Sequence, residues 1–484
     1  MPRSGCSSRP DNGRRPARRE IPSGGTKARS PPTRPNPASE PRKTRKYGES
    51  APLASLPRSA REEPSVKIKD VVFATGQSSF VHTDRAAIRQ GARPNGYLFD
   101  GKPVIPGFDT IVQPAGIASV MLVLDDDIVA LGDCADVILA GYAGRDRPFK
   151  PAEQEKVLDE VIAPRLVGRS LDSFKDLATE FDALRVDGEP LHMAVRYGVT
   201  QALLDAVALS RREQMAEVVA REYGQTIAPR RLRILSSCMR DNYNLHDRMI
   251  LKRADILPHS SFGEIDRHIG RDGQIFLDYV TKFRKRVQAI GAPDYRPQLH
   301  FDVYGSIGEL FDNDPERVAD YLGKVAAAVA PYDLMIESPF VVDALEPQIE
   351  IFGRLRDALK RKGIRTIIIA DEWCNTLEDI RAWADAGTTD MVQIKTPDLG
   401  GINNTIEAVI YCNEAGMDAY LGGTANETQQ SSRITTHIGL ATRPAFLLSK
   451  PGMGGDESFA LQVNEMNRTI ALLKHRHSPW LAAA

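Results

Sequence analysis

The chain has 484 residues and a formal net charge of −1, which is long enough for two or three domains with a large core. Its five cysteines are scattered without close pairs, which argues against a disulfide framework and predicts a reducing, cytoplasmic location. No apolar run approaches the roughly 18 residues that span a bilayer, so the sequence predicts no membrane partner.

The first 63 residues differ in composition from the rest of the chain. They carry 15 Lys or Arg, 6 Asp or Glu and 11 of the 32 prolines, with few large apolar side chains. Such a segment cannot bury enough surface to offset its ordering entropy, so residues 1–63 are predicted to be a disordered basic tail. A transit peptide and a nucleic-acid-binding arm are the alternatives for this tail. The remaining chain has a net charge of −10, and we expect no nucleic-acid partner for it.

Residues 64–226 are predicted to form an α+β domain. The stretch VKIKDVVFA alternates as a strand does, and VMLVLDDDIVALGDCA indicates two strands joined by an acidic turn at 125–127. Helical patterns follow at 151–167, 171–184 and 200–222. We expect Thr200 to cap the last of these helices and Gly224 to lie just past its end. Strands followed by helices are typical of an α+β architecture.

From residue 227 to residue 484, apolar strand patterns alternate with helices. Local signals predict four helices here. The first starts at Asp314-Pro315 and runs to about 330, and the second covers 344–362 and stops at Gly363. The third starts with a capping box at Thr376 and ends at Gly387, and the fourth covers 403–415 and stops at Gly416. Repeated βα units predict a parallel sheet with right-handed crossovers. Five or more units in series favour a closed barrel, with an open sheet as the alternative.

Charged residues stand at the ends of four short apolar runs, HFDVYG, LMIESP, IIIADEW and VQIKTP. They are Asp302, Glu337, Asp371 and Lys395, separated by 35, 34 and 24 residues, about the length of a strand–helix unit. In a parallel barrel, side chains at the C-terminal strand ends converge on one mouth. Three carboxylates there would hold a hard divalent cation such as Mg²⁺, and the lysine could remove a carbon-bound proton. A salt-bridge role alone is the alternative for Lys395.

Two neighbours of these residues carry predictions of their own. Glu372 adjoins Asp371 and should point the other way in a regular strand, whereas Gln393 and Lys395 are two apart and should share a face. Beside a dication the pKa of Lys395 should fall, which makes neutral amine available as a base.

A more specific signal comes from collinear stretches that cover about residues 65–475. They are KIKDVVFATGQSSF (67–80), RYGVTQALLDAVA (196–208), ADILPHS (254–260), DVYGSIG (302–308), ADEWCNT (370–376), VQIKTPDLGG (392–401), GGTANET (422–428) and KPGMGGDE (450–457). With them the chain resembles the enolase superfamily and, within it, the 3-methylaspartate ammonia-lyase family. The resemblance implies an α/β fold in which a modified (β/α)8 TIM-type barrel carries an N-terminal α+β capping domain. It also implies a C-terminal segment that returns to the cap, and a homodimer.

The resemblance further implies a reaction. Mg²⁺ binds one carboxylate of the amino acid 3-methylaspartate, the adjacent carbon loses its proton to give a metal-stabilised enediolate, and ammonia leaves to form mesaconate. Asp302, Glu337 and Asp371 match the metal ligands of the family. Lys395 matches the base for the (2S,3S) substrate, and His259 matches the residue that serves the other C3 epimer and orients the substrate. Gln393 and Thr424 match substrate-contacting positions.

Three positions depart from the family pattern. Where the family presents polar side chains to the substrate, this chain has Ile138, Ser237 and Ala425. Each loss of a charge-assisted hydrogen bond costs on the order of 1.5–3 kcal/mol. Two substrates therefore stay open: methylaspartate in a reshaped pocket, or a related acid with a less polar side chain.

Two other functions remain alternatives. The first is another enolase-superfamily reaction, such as racemisation or dehydration, although ADILPHS lacks the Lys-x-Lys pair that those branches often carry. The second is a non-catalytic barrel that binds a ligand, but an idle buried lysine at position 395 would be costly.

Overall fold

The computed structural model describes residues 66–142 and 144–483, so the predicted tail of residues 1–63 lies outside the described residues. The N-terminal region contains the strands β1 (Ile68–Thr83), β2 (Arg93–Asn95), β3 (Leu98–Asp100), β4 (Val112–Leu124), β5 (Val129–Cys134), β6 (Arg185–Val186) and β7 (Glu189–Pro190). Strands β1, β4 and β5 form an antiparallel sheet in that order. The predicted hairpin around 125–127 is confirmed, because β4 ends at Leu124 and β5 begins at Val129.

The same region contains helices, some of which pack against this sheet. They are α1 (Arg85–Arg89), α2 (Pro151–Val157), α3 (Ala163–Leu166), α4 (Phe174–Asp182), α5 (Met193–Ser210) and α6 (Met215–Glu222). A π-helical turn, Leu158–Ile162, joins α2 to α3, so the helix predicted over 151–167 is confirmed with one widened turn. Gly168 follows its end at a φ of +82°.

The prediction of one helix over 200–222 capped by Thr200 is wrong. Helix α5 begins at Met193, where the His192 side chain accepts a hydrogen bond from the Ala194 N–H, and α6 is a separate helix. Thr200 is buried inside α5, and its hydroxyl donates to the Arg196 carbonyl at 2.7 Å. Nearly every residue of α5 is buried, so no polar face marks its start in the sequence.

Helix α5 lies against β5 at an unusually short separation. A Cβ added to Gly132 on β5 would collide with the Gly198 carbonyl oxygen, and a Cβ added to Gly198 would collide with the Cys134 backbone. Glycine at both positions therefore permits an approach that any larger residue would prevent.

The C-terminal region is a closed barrel of eight parallel strands within the described residues. The strands are β8 (Ile234–Leu235), β9 (Ile256–Ser261), β10 (Gln298–Asp302), β11 (Leu334–Glu337), β12 (Ile367–Ala370), β13 (Met391–Ile394), β14 (Asp418–Leu421) and β15 (Phe446–Leu448). The barrel closes through pairing of β15 with β8 and of β8 with β9. The predicted fold class, a (β/α)8 barrel with an α+β cap, is confirmed, and the open sheet is excluded.

Helices alternate with the barrel strands, and the four that local signals predicted are confirmed within about one residue at each end. They are α7 (Tyr243–Leu251), α8 (Gln274–Ile290), α9 (Ser306–Leu310), α10 (Pro315–Val329), α11 (Leu345–Arg361), α12 (Leu377–Ala386), α13 (Ile402–Ala415), α14 (Gln429–Thr442) and α15 (Gly455–His475). Asp314 caps α10 by accepting from the Glu316 N–H at 2.9 Å, and Thr376 and Asp379 form the predicted capping box of α12. Gly387 and Gly416 end their helices in the left-handed conformation.

Apolar side chains fill the inside of the barrel below its mouth. Buried residues from alternate positions of the strands form this cluster, namely Leu235, Ile256, Met335, Ile369, Met391, Tyr420, Phe446 and Leu448. The barrel is therefore packed through its centre, and chemistry is confined to its C-terminal mouth.

The end of the chain lies against the junction of the two regions. The Ile227 N–H donates to the Trp480 carbonyl at 2.8 Å, and the Ser478 hydroxyl donates to the Glu217 carboxylate of α6 at 2.5 Å. These contacts have the form expected of a C-terminal segment returning to the cap, while the domain limits 64–226 and 227–484 stay predictions. Among the described helices, none combines the length and apolarity needed to cross a bilayer.

Candidate active site

A cavity of about 690 Å³ opens between the cap and the C-terminal ends of the barrel strands. Nine of the ten residues predicted for the site line it: Ile138, Ser237, His259, Asp302, Asp371, Gln393, Lys395, Thr424 and Ala425. The tenth, Glu337, is fully buried directly beside Asp302, because these two residues are register partners in the β10–β11 ladder. The structure therefore brings the whole predicted set together.

The carboxylates form an acidic floor. Burial, followed by the charges of Glu337 and Asp371, raises the pKa of Asp302 well above its usual range. Burial and the charge of Asp371 raise the pKa of Glu337 to about 7. The ionised forms of these acids are destabilised by one another, and a cation between them would relieve that repulsion. An all-oxygen donor set of this kind fits Mg²⁺.

Glu337 is held by two strands that are not its neighbours in the barrel. Gln393 on β13 donates to its Oε1, and the Tyr420 hydroxyl on β14 donates to its Oε2 at 2.7 Å. A carboxylate fixed in this way keeps its position when the occupancy of the cavity changes. Gln393, predicted as a substrate contact, thus also orients a predicted metal ligand.

The Lys395 ammonium is ion-paired with Asp371 at the floor of the cavity. Burial acts to lower the pKa of Lys395, but the charges of Asp371 and Glu372 outweigh that effect and raise it. The fall in pKa expected beside a dication stays a prediction. The ion pair shows that the amine reaches the carboxylate cluster, which the proposed chemistry requires.

The prediction that Glu372 points away from the cavity is wrong. Glu372 lines the cavity together with Asp371. The reason is that β12 ends at Ala370, so residues 371 and 372 lie beyond the regular pleat and no longer alternate between faces. Burial and the charge of Asp371 raise the pKa of Glu372 above its usual range.

His259 lies at the edge of the same floor, and burial lowers its pKa to about 4. Its ring contacts a second histidine, His300, which the sequence analysis missed; the two Nδ1 atoms are 3.4 Å apart. Burial lowers the pKa of His300 to about 3. Because His300 precedes Asp302 by two residues on β10, the two-residue strand period would have placed it on the same face.

His259, His300 and Glu337 also place three potential metal-binding atoms within 4.8 Å of one another, a cluster found within the described residues. This trio shares Glu337 with the predicted carboxylate set. Two imidazoles and one carboxylate suit a borderline metal better than Mg²⁺, which prefers oxygen.

The cap supplies the opposite wall. The Ile138 N–H donates to the Thr424 hydroxyl at 2.8 Å, which joins a loop of the cap to the loop after β14. A second joint, also missed from sequence, is the buried pair of Arg145 in the cap and Asp398 after β13, with Nε and Oδ1 2.9 Å apart. Both joints position cap residues over the barrel mouth.

The loop that carries Thr424 and Ala425 is supported from below by a buried ion pair. The Lys450 Nζ donates to the Glu427 Oε1 at 3.0 Å and to the Gly422 carbonyl at 3.1 Å. Glu427 Oε2 accepts from the Ser431 hydroxyl at 2.5 Å. Lys450 and Glu427 were not predicted as site residues. The available signal was a lysine and an acid inside otherwise apolar or glycine-rich stretches.

The barrel, the cap and the acidic floor with a lysine at the strand ends together define an enzyme of the enolase superfamily. Comparison with known proteins narrows this class. The family description of the methylaspartate ammonia-lyase N-terminus matches residues 66–224, and that of the methylaspartate ammonia-lyase C-terminus matches residues 226–475. The chain belongs to the methylaspartate ammonia-lyase family.

Relatives match along nearly their full lengths. Methylaspartate ammonia-lyase 2 of Carboxydothermus hydrogenoformans is 47% identical over 85% of this chain and 99% of its own. The Mg-complex of β-methylaspartase from Clostridium tetanomorphum is 43% identical, with a TM-score of 0.81 over 85% of this chain and 100% of that chain.

A Citrobacter amalonaticus methylaspartate ammonia-lyase structure containing (2S,3S)-3-methylaspartic acid is 44% identical, with a TM-score of 0.83 over 84% of this chain and 100% of that chain. These similarities make the chain an enzyme of the carbon–nitrogen lyase kind that acts on a small molecule.

Proposed function

We propose that this enzyme eliminates ammonia from 3-methylaspartate, or from a close amino acid analogue, to give mesaconate in a Mg²⁺-dependent reaction. Asp302, Glu337 and Asp371 are proposed to hold the ion. The observation that supports the proposal is the ion pair between the Lys395 amine and Asp371 in the cavity that Asp302 also lines. A homodimer is proposed from family membership.

The physical problem in this reaction is the weak acidity of the C3–H bond. Its removal places extra negative charge on a carboxylate that is already ionised, and bound Mg²⁺ would supply charge stabilisation there. Lys395 accepts the C3 proton of the (2S,3S) substrate, the electron pair left on C3 forms the new double bond to C2, and the C2–N bond breaks to release ammonia. On the other side of the substrate, His259 is proposed to accept the C3 proton of the opposite epimer.

The remaining wall of the cavity supports a reshaped pocket. Ile138 and Ala425 offer no side-chain hydrogen bond, and Ser237 offers only a short hydroxyl. The cavity volume of about 690 Å³ is several times the size of a molecule with about ten non-hydrogen atoms. A related acid with a less polar side chain is therefore the second candidate substrate.

The proposal is tested with a panel of amino diacids and monoacids at saturating Mg²⁺. Ammonia release and alkene absorbance report the elimination, and exchange of the C3 proton with deuterium from D₂O reports the first step. We expect methylaspartate to exchange, the exchange to stop when Mg²⁺ is chelated, and Asp302→Asn to weaken Mg²⁺ binding measured by calorimetry. Absence of exchange with every acid would favour a barrel that only binds ligands, and exchange without ammonia would favour a racemase.

A further inference from the structure

We propose that the outer end of the cavity is a recognition subsite for a carboxylate at the far end of the substrate, with Arg240 and His268 as its hydrogen-bond donors. The preferred substrate is then an amino diacid whose side chain ends in a third carboxylate. The inference rests on the proposed function, because the other end of the same substrate is the end that reacts. It concerns two residues that the reaction as described above does not use.

The chain leads from the floor of the cavity to this outer end along β9. His259 lies beside the carboxylates, Ser261 ends the strand two residues later, and both line the cavity. A π-helical turn follows, Ile265–Ile269, and its His268 lines the same cavity. Because a barrel strand runs towards the mouth at its C-terminal end, this turn lies further from the floor than His259 does. Turns of this rare type are frequent at functional sites.

His268 presents an unused donor at the outer end. Its side chain is only 9% exposed, and its Nδ1 accepts a hydrogen bond from the Glu264 backbone N–H at 3.2 Å. A ring nitrogen that accepts carries no hydrogen, so in the neutral ring the hydrogen is on the Nε2. Among the described residues this Nε2 has no hydrogen-bond partner, and the Glu264 Oε1, at 3.7 Å, is too far to be one. Burial, followed by the charge of Arg240, lowers the pKa of His268 and so favours the neutral ring.

Arg240, on the loop after β8, lies beside this donor. Its guanidinium carbon is 5.9 Å from the centre of the Phe262 ring, and the same ring contacts His268 edge-on, with ring centroids 6.5 Å apart. The Arg240 Nη1 donates to the Ser261 carbonyl at 2.9 Å, and its Nη2 donates to the Asp241 Oδ2 at 3.3 Å. A guanidinium has five N–H groups, so further donors stay available within the described residues.

Two acids also belong to this end of the cavity, and they are its exposed members. The side chain of Asp241 is 78% exposed and that of Glu264 is 51% exposed, whereas that of Arg240 is 23% exposed. Glu264 is paired with Arg267, which is exposed as well. Ion pairs between exposed side chains are weak. A ligand carboxylate at the more buried donors would interact in a lower dielectric, so the deep part of the subsite favours an anion.

The subsite agrees with the altered polarity of the cavity wall. Ile138 and Ala425 suit a substrate with a less polar side chain, and a methylene arm has that character. A carboxylate at the end of the arm would accept hydrogen bonds from Arg240 and His268. A methyl group in its place would leave both donors unpaired, so the two ends differ strongly in binding free energy.

The experiment uses two acids that lack an amino group and therefore release no ammonia, carboxyethylsuccinate and propylsuccinate. They share the same head and the same arm length, and they differ only in a carboxylate or a methyl group at the end of the arm. Binding to the full-length Mg²⁺-loaded enzyme is measured by calorimetry. We expect carboxyethylsuccinate to bind about 10- to 100-fold more tightly than propylsuccinate.

Variants test which side chains cause this preference. Arg240→Met and His268→Phe should each reduce the ratio of the two affinities by about 10-fold, with the affinity for propylsuccinate unchanged. His268→Gln keeps an N–H donor and should retain most of the ratio. Arg296→Met is the matched control, because the Arg296 guanidinium also donates to backbone carbonyls but lies before β10, at the opposite end of the barrel.

Several outcomes would overturn the inference. They are equal affinity of the wild type for the two acids, no binding of either acid, or a preference that survives in both Arg240→Met and His268→Phe. Loss of both acids in these variants would also overturn it, because the residues would then hold the loops and not the carboxylate. Ammonia release from 3-methylaspartate is measured separately. If it is absent the proposed function fails, and the ratio of the two affinities still decides the subsite.

Discussion

The two walls of the cavity are built in different ways. On the barrel side, Asp302, Glu337 and Gln393 occupy the last or last but one residue of strands whose register fixes them to their neighbours. On the other side, Ile138, Ser237 and Ala425 stand on loops after β5, β8 and β14. In the proposed function, the chemistry rests on side chains at the strand ends or directly after them, while the choice of substrate rests on loop segments that can change without disturbing the strands.

The largest effect is expected from removal of the proposed base. Lys395→Met should lower (2S,3S)-methylaspartate turnover by about 10²- to 10⁴-fold, because no other amine lines the cavity to accept the C3 proton within the described residues. Turnover and C3 exchange are the measurements. Lys362→Met, on an exposed lysine paired with Asp320, is the control. Exchange at the wild-type rate in Lys395→Met would remove the lysine from the mechanism.

On the loop side of the cavity, the Lys450–Glu427 ion pair supports the loop that carries Thr424 and Ala425. Removing one partner tests how much this pair contributes to stability and to substrate binding. Lys450→Met leaves Glu427 charged and buried, and we expect a loss of about 3–5 kcal/mol in the free energy of unfolding. KM should also rise, because the loop with Thr424 loses its support. Adding Glu427→Gln should recover much of the stability in urea denaturation. A single variant that is more stable than the double variant would contradict this account.

Substitution at Ile138 is expected to alter selectivity alone. Ile138→Gln should strengthen methylaspartate binding by about 1.5–3 kcal/mol, roughly 10- to 100-fold in KM, with little change in kcat. Ile138→Leu is the matched control. If the natural substrate is a less polar acid, the same variant should raise KM for that acid, and no change with either substrate would show that position 138 does not face the substrate.

The smallest effect is expected on the outer side of the barrel. Asp314→Ala removes the cap of α10 and should lower the free energy of unfolding by about 1 kcal/mol, with kcat and KM unchanged. Urea denaturation and steady-state kinetics measure the two quantities. A change in turnover would mean that the barrel helices and the strand ends are less independent than the two-wall description requires.

The barrel was predictable from sequence because its signals are local. Asp314, Thr376 and Gly387 each satisfy backbone groups within a few residues of themselves, so their effect on helix limits needs no knowledge of the fold. The four charged strand ends repeat at the spacing of one βα unit. Residues with this spacing lie at the same end of successive barrel strands and are therefore close together in the fold.

The misses have physical reasons in tertiary structure. Thr200 looked like a cap, but burial all round α5 removed the contrast between faces that locates a helix start. Glu372 was assigned to a regular strand that ends two residues earlier, at Ala370. The left-handed conformation of His259 comes from a bulge in the pairing of β9 with β10, which arises between strands and leaves no mark in the local sequence.

The close contact between Gly132 on β5 and Gly198 on α5 limits how this enzyme can be redesigned. A single methyl group at either position would wedge β5 and α5 apart, and the chain from Cys134 to Ile138 would move with the strand. Libraries that target only the pocket leave these two sites unchanged, although the sites fix the position of the strand that leads to Ile138. We therefore expect new selectivity to come from the loop side chains, because β5 and α5 tolerate no larger residue at positions 132 and 198.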